Sequence, residues 1–290
     1  MPFAFALFSF KQYDLVISVT SEFAKGVITT GKTKHICICL TPTRYLWSGY
    51  DEYFRNSWFR RVSFPLVWLL RKWDRALAKL PDTYVAISKE VGKRIKRYYK
   101  RDSVVVYPPV AKLPKAKKNS LFEREYFLVV SRLSKFTHYK RVDIAIKAAT
   151  QLCASLIVVG AGDRRYVEKI AGPTVHFTGN VSDGLLAQYY KNAKALLFPG
   201  NEDFGIVMVE ALSFGTPVIA YGKGGAREIV KSGKTGTFFA SQTVPSLVKA
   251  LKSFQATRYN RIACEKQAKL FSEKRFQKAI RRIVKEVTSL

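Results

Sequence analysis

From about Tyr126 onward, six short apolar runs (YFLVVS, LIVVG, TVHFTG, ALLFP, PVIAY and GTFF) alternate with stretches of helical spacing. Runs this short and this rich in β-branched residues suit strands covered on both faces, and a helix between successive strands imposes parallel pairing. The rhythm predicts an α/β fold, with a doubly wound sheet over residues 123–271. Upstream, YDLVISV, HICICL, TYVAIS and VVVY predict a second α/β unit over residues 1–110, with a helical, Trp-rich stretch at about 54–79. Residues 111–122 carry Pro and Lys without any apolar period, the composition of a linker. At the end of the chain, Phe276, Ile280, Ile283, Val284 and Val287 recur at helical spacing after Ser272, so residues 272–290 are expected to form an amphipathic helix.

The 290 residues are 48% hydrophobic, enough to bury a core in each of two domains. Lys and Arg number 50 against 21 Asp and Glu, giving +29 spread along the chain. Such a field favours an anionic partner: a phosphorylated substrate, an acidic lipid surface or nucleic acid. No recognition motif for nucleic acid accompanies the charge, so no specific nucleic-acid partner is expected. Cys37 and Cys39 alternate in a strand, and with Cys153 and Cys264 they form no metal-ligand spacing, which fits reduced structural thiols and a cytoplasmic setting. The longest apolar stretches, near 1–10 and 62–70, fall short of the roughly 18 residues of a membrane span. Peripheral contact with the cytoplasmic membrane face is a separate matter. In FRNSWFRRVSFPLVWLLRKWDRALAK, the aromatics either enter a bilayer interface with Arg and Lys on headgroups, or fill the core beneath the helix.

Two motifs invite a phosphate-binding reading. Residues 26–33, GVITTGKT, match the P-loop pattern letter for letter, yet HICICL follows where a P-loop requires a helix. A turn between two elements is expected there. The segment LLFPGNEDFGIVMVEALSFGTPVIAYGKGGAREIV instead runs from strand to loop to helix, with Gly215 and Pro217 ending the helix, predicted over 204–214. Its N-terminus falls at the carboxyl end of a parallel strand, where open α/β sheets bind ligands. Amides of Gly205, Ile206 and Val207 would face that crevice as an anion site, and Gly205 would let a phosphate come close. Glu202 and Glu210 suit vicinal hydroxyls, so a ligand with both phosphates and diols, such as a nucleotide sugar, accounts for the whole segment. Taken alone, Glu202 could equally cap the helix by its charge and Glu210 lie solvated.

The segment EDFGIVMVE resembles the E-x7-E signature of family 4 glycosyltransferases, retaining enzymes of the GT-B fold with two Rossmann-like domains. VVSRL, YKRVDIAIKA, VVGAGD, FTGNVSD and KSGKTGTFF resemble the same family in the same order, and YDLVIS, AKGV, CLTPTRYLW and YPPV resemble members that transfer mannose-like sugars. The resemblance implies transfer of a hexose from a nucleotide-diphosphate sugar, GDP or UDP, to a lipid-linked or glycan acceptor. It implies that Arg132 and Lys140 hold the diphosphate, that Glu202 contacts the donor sugar and that Glu210 binds the ribose. Two cations with helix amides can neutralise a leaving diphosphate. Gly160 and Gly162 are expected to make a tight strand-to-helix turn near the nucleotide, with the backbone at Asn180 and Val181 near the base. No D-x-D metal motif occurs, so metal-independent catalysis without a cofactor is expected. His138 falls in a short insertion and is expected to be a loop residue, while His35 and His176 are expected to be structural.

The resemblance departs on the acceptor side. Relatives carry further βα units before the YDLVIS segment, which implies a truncated N-terminal domain here, with an exposed sheet edge. A His of the family is replaced by Ser21. A non-catalytic nucleotide-sugar binder, or half of a split transferase whose partner supplies the absent units, therefore stands beside the enzyme reading.

Overall fold

The computed structural model of the chain describes residues 4–29, 31–53, 57–115, 126–133 and 140–289. His138 and residues 116–122 of the expected linker lie outside the described residues. Two compact units emerge, one of residues 1–108 with 274–290 and one of residues 109–273.

The first unit carries a four-stranded parallel sheet in the order β1 (Leu15–Thr20), β2 (Lys34–Cys39), β3 (Thr83–Ala86), β4 (Val104–Val105). Its helices are α1 (Tyr50–Tyr53), α2 (Ser57–Leu77) and α3 (Lys89–Tyr99). Ser88 starts α3 by accepting a hydrogen bond from the Val91 amide at 3.0 Å. β2 is central and buried on both faces, so Cys37 and Cys39 are covered, and burial pushes the Cys37 thiol up to about 11. His35, in the same strand, shares a 2.8 Å hydrogen bond between Nε2 and Ser18 Oγ, and burial brings its pKa down to about 4. β1 lies at one edge, with Ile17 and Val19 exposed. Among the described residues of the P-loop-like segment, the chain turns at Gly31 and enters β2, so a strand follows.

A buried ion pair organises this unit. Asp74 of α2 lies 2.6 Å from Lys25 Nζ, both side chains being at most 1% exposed. The same carboxylate accepts from Thr43 Oγ1 at 2.9 Å and from Trp47 Nε1 at 2.7 Å. Lys25 also donates to the Glu22 carbonyl and lies over the Tyr99 ring. One residue of α2 thus fixes the loops that follow β1 and β2.

The second unit holds six parallel strands: β5 (Phe127–Val130), β6 (Leu156–Val159), β7 (Val175–Gly179), β8 (Ala195–Phe198), β9 (Val218–Tyr221) and β10 (Gly236–Phe239). Their spatial order is β10-β9-β8-β5-β6-β7. Around them lie α4 (Val142–Gln151), α5 (Arg165–Glu168), α6 (Asp183–Asn192), α7 (Ile206–Ser213), α8 (Ala226–Ile229), α9 (Val244–Ser253) and α10 (Arg261–Ala268). Leu156, Val158, Leu197 and Ile219 join α4 and α9 side chains in one apolar core. The chain builds outward from β5 to β7, then returns to β8 on the other side of β5, which places a topological switch point between β5 and β8. The last helix, α11 (Glu273–Thr288), is the expected amphipathic one, with Ile283 and Val287 buried. It groups with the first unit.

Candidate nucleotide-sugar site

Arg132, Lys140, Gly160, Gly162, Val181 and Val207, all nominated by the sequence, gather near that switch point in the second unit. The segment after β5 brings Arg132, the start of α4 brings Lys140, and the loop after β8 brings Glu202. Arg132 and Lys140, with the segments after β6 and β7 and Val207 of α7, frame an open cleft of about 690 Å³, and Glu202 reaches it through Lys140. Arg132, Lys140, Gly160, Gly162, Val181 and Val207 line it, as do Asn180, Asp163 and Asp183.

Lys140 Nζ donates to Glu202 Oε1 at 2.9 Å, with both side chains about four-fifths buried. The two residues, expected to serve diphosphate and sugar separately, therefore meet each other across the switch point. An ammonium so placed can turn to an incoming phosphate while the carboxylate holds its position. The adjacent Arg141 takes a left-handed backbone at φ 47° and folds its guanidinium onto Asp143 at 3.1 Å. Of two neighbouring cations in KRVD, Lys140 lines the cleft while Arg141 is engaged at the start of α4.

Gly160 and Gly162 work differently from expectation. Instead of a tight turn, the chain after β6 continues alongside the segment after β5: Ser131 donates to the Val159 carbonyl and Leu133 to the Ala161 carbonyl, each at 2.9 Å. Both glycines have positive φ, and a Cβ would sit 2.0 Å from the Ser131 carbonyl oxygen at Gly160 and 1.9 Å from that of Leu133 at Gly162. Backbone thus packs on backbone, and this sets the floor of the cleft.

Gly205 is likewise corrected. It caps α7 at φ 97°, the helix beginning at Ile206, two residues later than predicted, and a Cβ there would strike Met208 and Phe198. The glycine is needed for this packing and for the left-handed backbone. Ile206 is exposed and Val207 lines the cleft, so the start of α7 stands at its wall, with the Ile206 and Val207 amides preceding the Met208 amide that bonds to the Gly205 carbonyl.

Glu210 is half-buried and not alone. The Tyr190 hydroxyl donates to its Oε2 at 2.7 Å, and Tyr190 is fully buried. Burial is the main cause that raises the Glu210 pKa; the Tyr190 hydrogen bond opposes it and the Asp183 charge adds to it. Tyr190 escaped the sequence reading because nothing local marks a phenol twenty positions away. Gly224 and Gly225 were missed too, although the GKGG run was visible. A Cβ at either would collide with the backbone of 202 or 204, and the Gly225 amide donates to the Glu202 carbonyl at 2.9 Å. These glycines seat the loop that carries Glu202.

The sequence profile described as Glycosyl transferases group 1 matches residues 113–271, more than half of the chain and nearly the whole of this unit. The chain belongs to the group 1 glycosyl transferases. Among curated members, the phosphatidyl-myo-inositol mannosyltransferase of Mycobacterium leprae is 35% identical over 101 residues, 33% of this chain and 27% of that protein. A GDP-mannose-dependent alpha-mannosyltransferase of Mycobacterium tuberculosis is 29% identical over 185 residues, 62% of this chain and 46% of that protein. The match thus spans less than half the length of either transferase. Among solved structures, sucrose-phosphate synthase from Thermosynechococcus elongatus superimposes with a TM-score of 0.73 at 18% identity, covering 96% of this chain and 74% of that one. The group 1 transferase described here therefore has the GT-B fold, with two parallel-sheet α/β units.

Proposed function

We propose that the chain is a retaining glycosyltransferase of family 4 type that moves a hexose, mannose by preference, from a nucleotide-diphosphate sugar to a lipid-linked or polysaccharide acceptor. The observation that carries the donor reading is the switch-point cleft, where Arg132, Lys140 and the first turn of α7 offer positive charge beside the Lys140–Glu202 pair. A diphosphate in that cleft meets two cations and open amides, while Glu210, braced by Tyr190, presents a carboxylate to ribose hydroxyls. The two mannosyltransferase relatives support mannose, and the GDP-mannose-dependent one supports a GDP donor.

In the reaction, the bond between the anomeric carbon and the diphosphate oxygen breaks, and its electron pair leaves with the diphosphate. Arg132 and Lys140 neutralise that developing charge, the role that pre-oriented cations perform best in a partly dry site. Glu202, fixed through Lys140, faces the electron-poor sugar ring. The acceptor hydroxyl attacks the same face of the sugar, and its proton passes to the departing phosphate oxygen. No metal ion is assigned to this sequence of steps, since the neutralising charge comes from the protein.

A thermal-shift panel of GDP-, UDP- and dTDP-sugars against the wild type and Glu210→Ala tests the donor site. Stabilisation of the wild type by one nucleotide class, weakened at least about tenfold in apparent affinity by Glu210→Ala, is the expected result. Absence of stabilisation by every nucleotide refutes the site. Nucleotide binding without transfer to any lipid-linked or glycan acceptor would instead favour the binding-only reading.

A further inference from the structure

Helix α2 presents to solvent a face of the kind helices normally bury. Val67 and Asp74 are its buried side chains among the described residues. At about 100° per residue, Trp58, Val62, Pro65 and Leu69 all fall within about 40° of the line opposite Val67. Trp58 is 69% exposed, Val62 59% and Leu69 57%, and Leu66 beside them is 59% exposed. The core-filling reading of this Trp-rich stretch is therefore overturned for these side chains. Arg61 and Lys72 run along one flank of the stripe, at about 120° and 140° from Val67, and Lys72 Nζ stands 3.7 Å from the centre of the Trp68 ring.

The stripe cannot be rolled inward. Asp74, on the opposite side, is locked to Lys25, Thr43 and Trp47, and half a turn of α2 would pull that carboxylate out and leave Lys25 buried without its counter-charge. Asp74 is also the sole acidic residue in the helix, whereas Arg60, Arg61, Arg71, Lys72 and Arg75 are cationic. The rim of the stripe thus carries one sign of charge.

We propose that this face of α2 docks on an anionic phospholipid bilayer. Trp58, Val62, Pro65 and Leu69 enter the boundary between headgroups and acyl chains, and Arg61 and Lys72 meet lipid phosphates. The charge of +29 attracts such a surface from a distance, and none of the described helices is long and apolar enough to cross it. Helix α2 belongs to the first unit and the donor cleft to the second, so the inference stands apart from the donor reading.

Co-sedimentation of the full chain with vesicles of phosphatidylcholine, alone or mixed with phosphatidylglycerol, tests this. Binding to the mixed vesicles is expected, with a blue shift of tryptophan emission that Trp58→Phe/Trp68→Phe abolishes. Val62→Glu/Leu69→Glu should weaken partitioning by about tenfold or more, and Arg61→Gln/Lys72→Gln by several-fold. Both pairs are exposed, and unchanged far-UV circular dichroism confirms that each variant is folded. Three results overturn the proposal: Val62→Glu/Leu69→Glu binding like the wild type, which reduces the effect to overall charge; equal binding to neutral vesicles; or no vesicle binding together with self-association that the glutamates abolish, which makes the face a protein interface.

Discussion

Glu210 sits where its negative charge is unwelcome, and this has a readable cost. Burial raises its pKa in the folded chain above the unfolded value, so between the two values the native state holds the extra proton. Stability contributed by the protonated form is therefore lost as pH rises through that window, and above it the full cost is present. Glu210→Gln keeps an acceptor for the Tyr190 hydroxyl and removes the ionisation. We expect it to melt higher than the wild type at neutral pH, with the gap closing below about pH 4, while its nucleotide affinity falls. Melting temperatures of both proteins across that range decide it, and equal melting at neutral pH would contradict the burial argument. The two glutamates were legible in the sequence because they flank a strand-loop-helix passage. Their partners were not, since Lys140 lies 62 positions from Glu202 and Tyr190 lies 20 from Glu210.

At the scale of elements, the ten strands of the described residues were legible, because a short β-branched run has few other uses. The glycines between them were legible only as glycines. Whether one serves a turn or a close approach depends on the neighbouring chain, which no local pattern reveals. Gly162 is the sharper case: its φ of 124° and the 1.9 Å collision of an added Cβ with the Leu133 carbonyl oxygen leave no conformation for a side chain. Gly162→Ala should cost about 3 kcal/mol or more in urea unfolding and lower nucleotide affinity along with it. Gly184, in the first turn of α6 with open space around its Cβ position, is the matched control. Gly184→Ala should be neutral or stabilising by up to about 1 kcal/mol. A similar loss at both positions would mean that backbone freedom, rather than the contact with Leu133, is what matters.

Across the whole molecule, periodicity foretold the terminal amphipathic helix but could not say what its apolar side would meet, since a hydrophobic spacing names a face and not its neighbour. Its grouping with residues 1–108 emerges only in three dimensions. The same holds for α2, whose sequence allowed an inward or an outward set of aromatics until Asp74 settled which side faces the loops after β1 and β2. The cysteines add a practical consequence. Cys37, Cys39 and Cys264 are buried and Cys153 is exposed. A thiol-reactive dye should therefore attach once, at Cys153, to the native chain, and four times after denaturation, as counted by intact mass. Because Cys153 follows α4, whose other end adjoins Lys140, that natural handle sits one helix away from the cleft. It offers fluorescence titration of the donor without an engineered cysteine, and any second equivalent of label becomes an alarm that a core has opened.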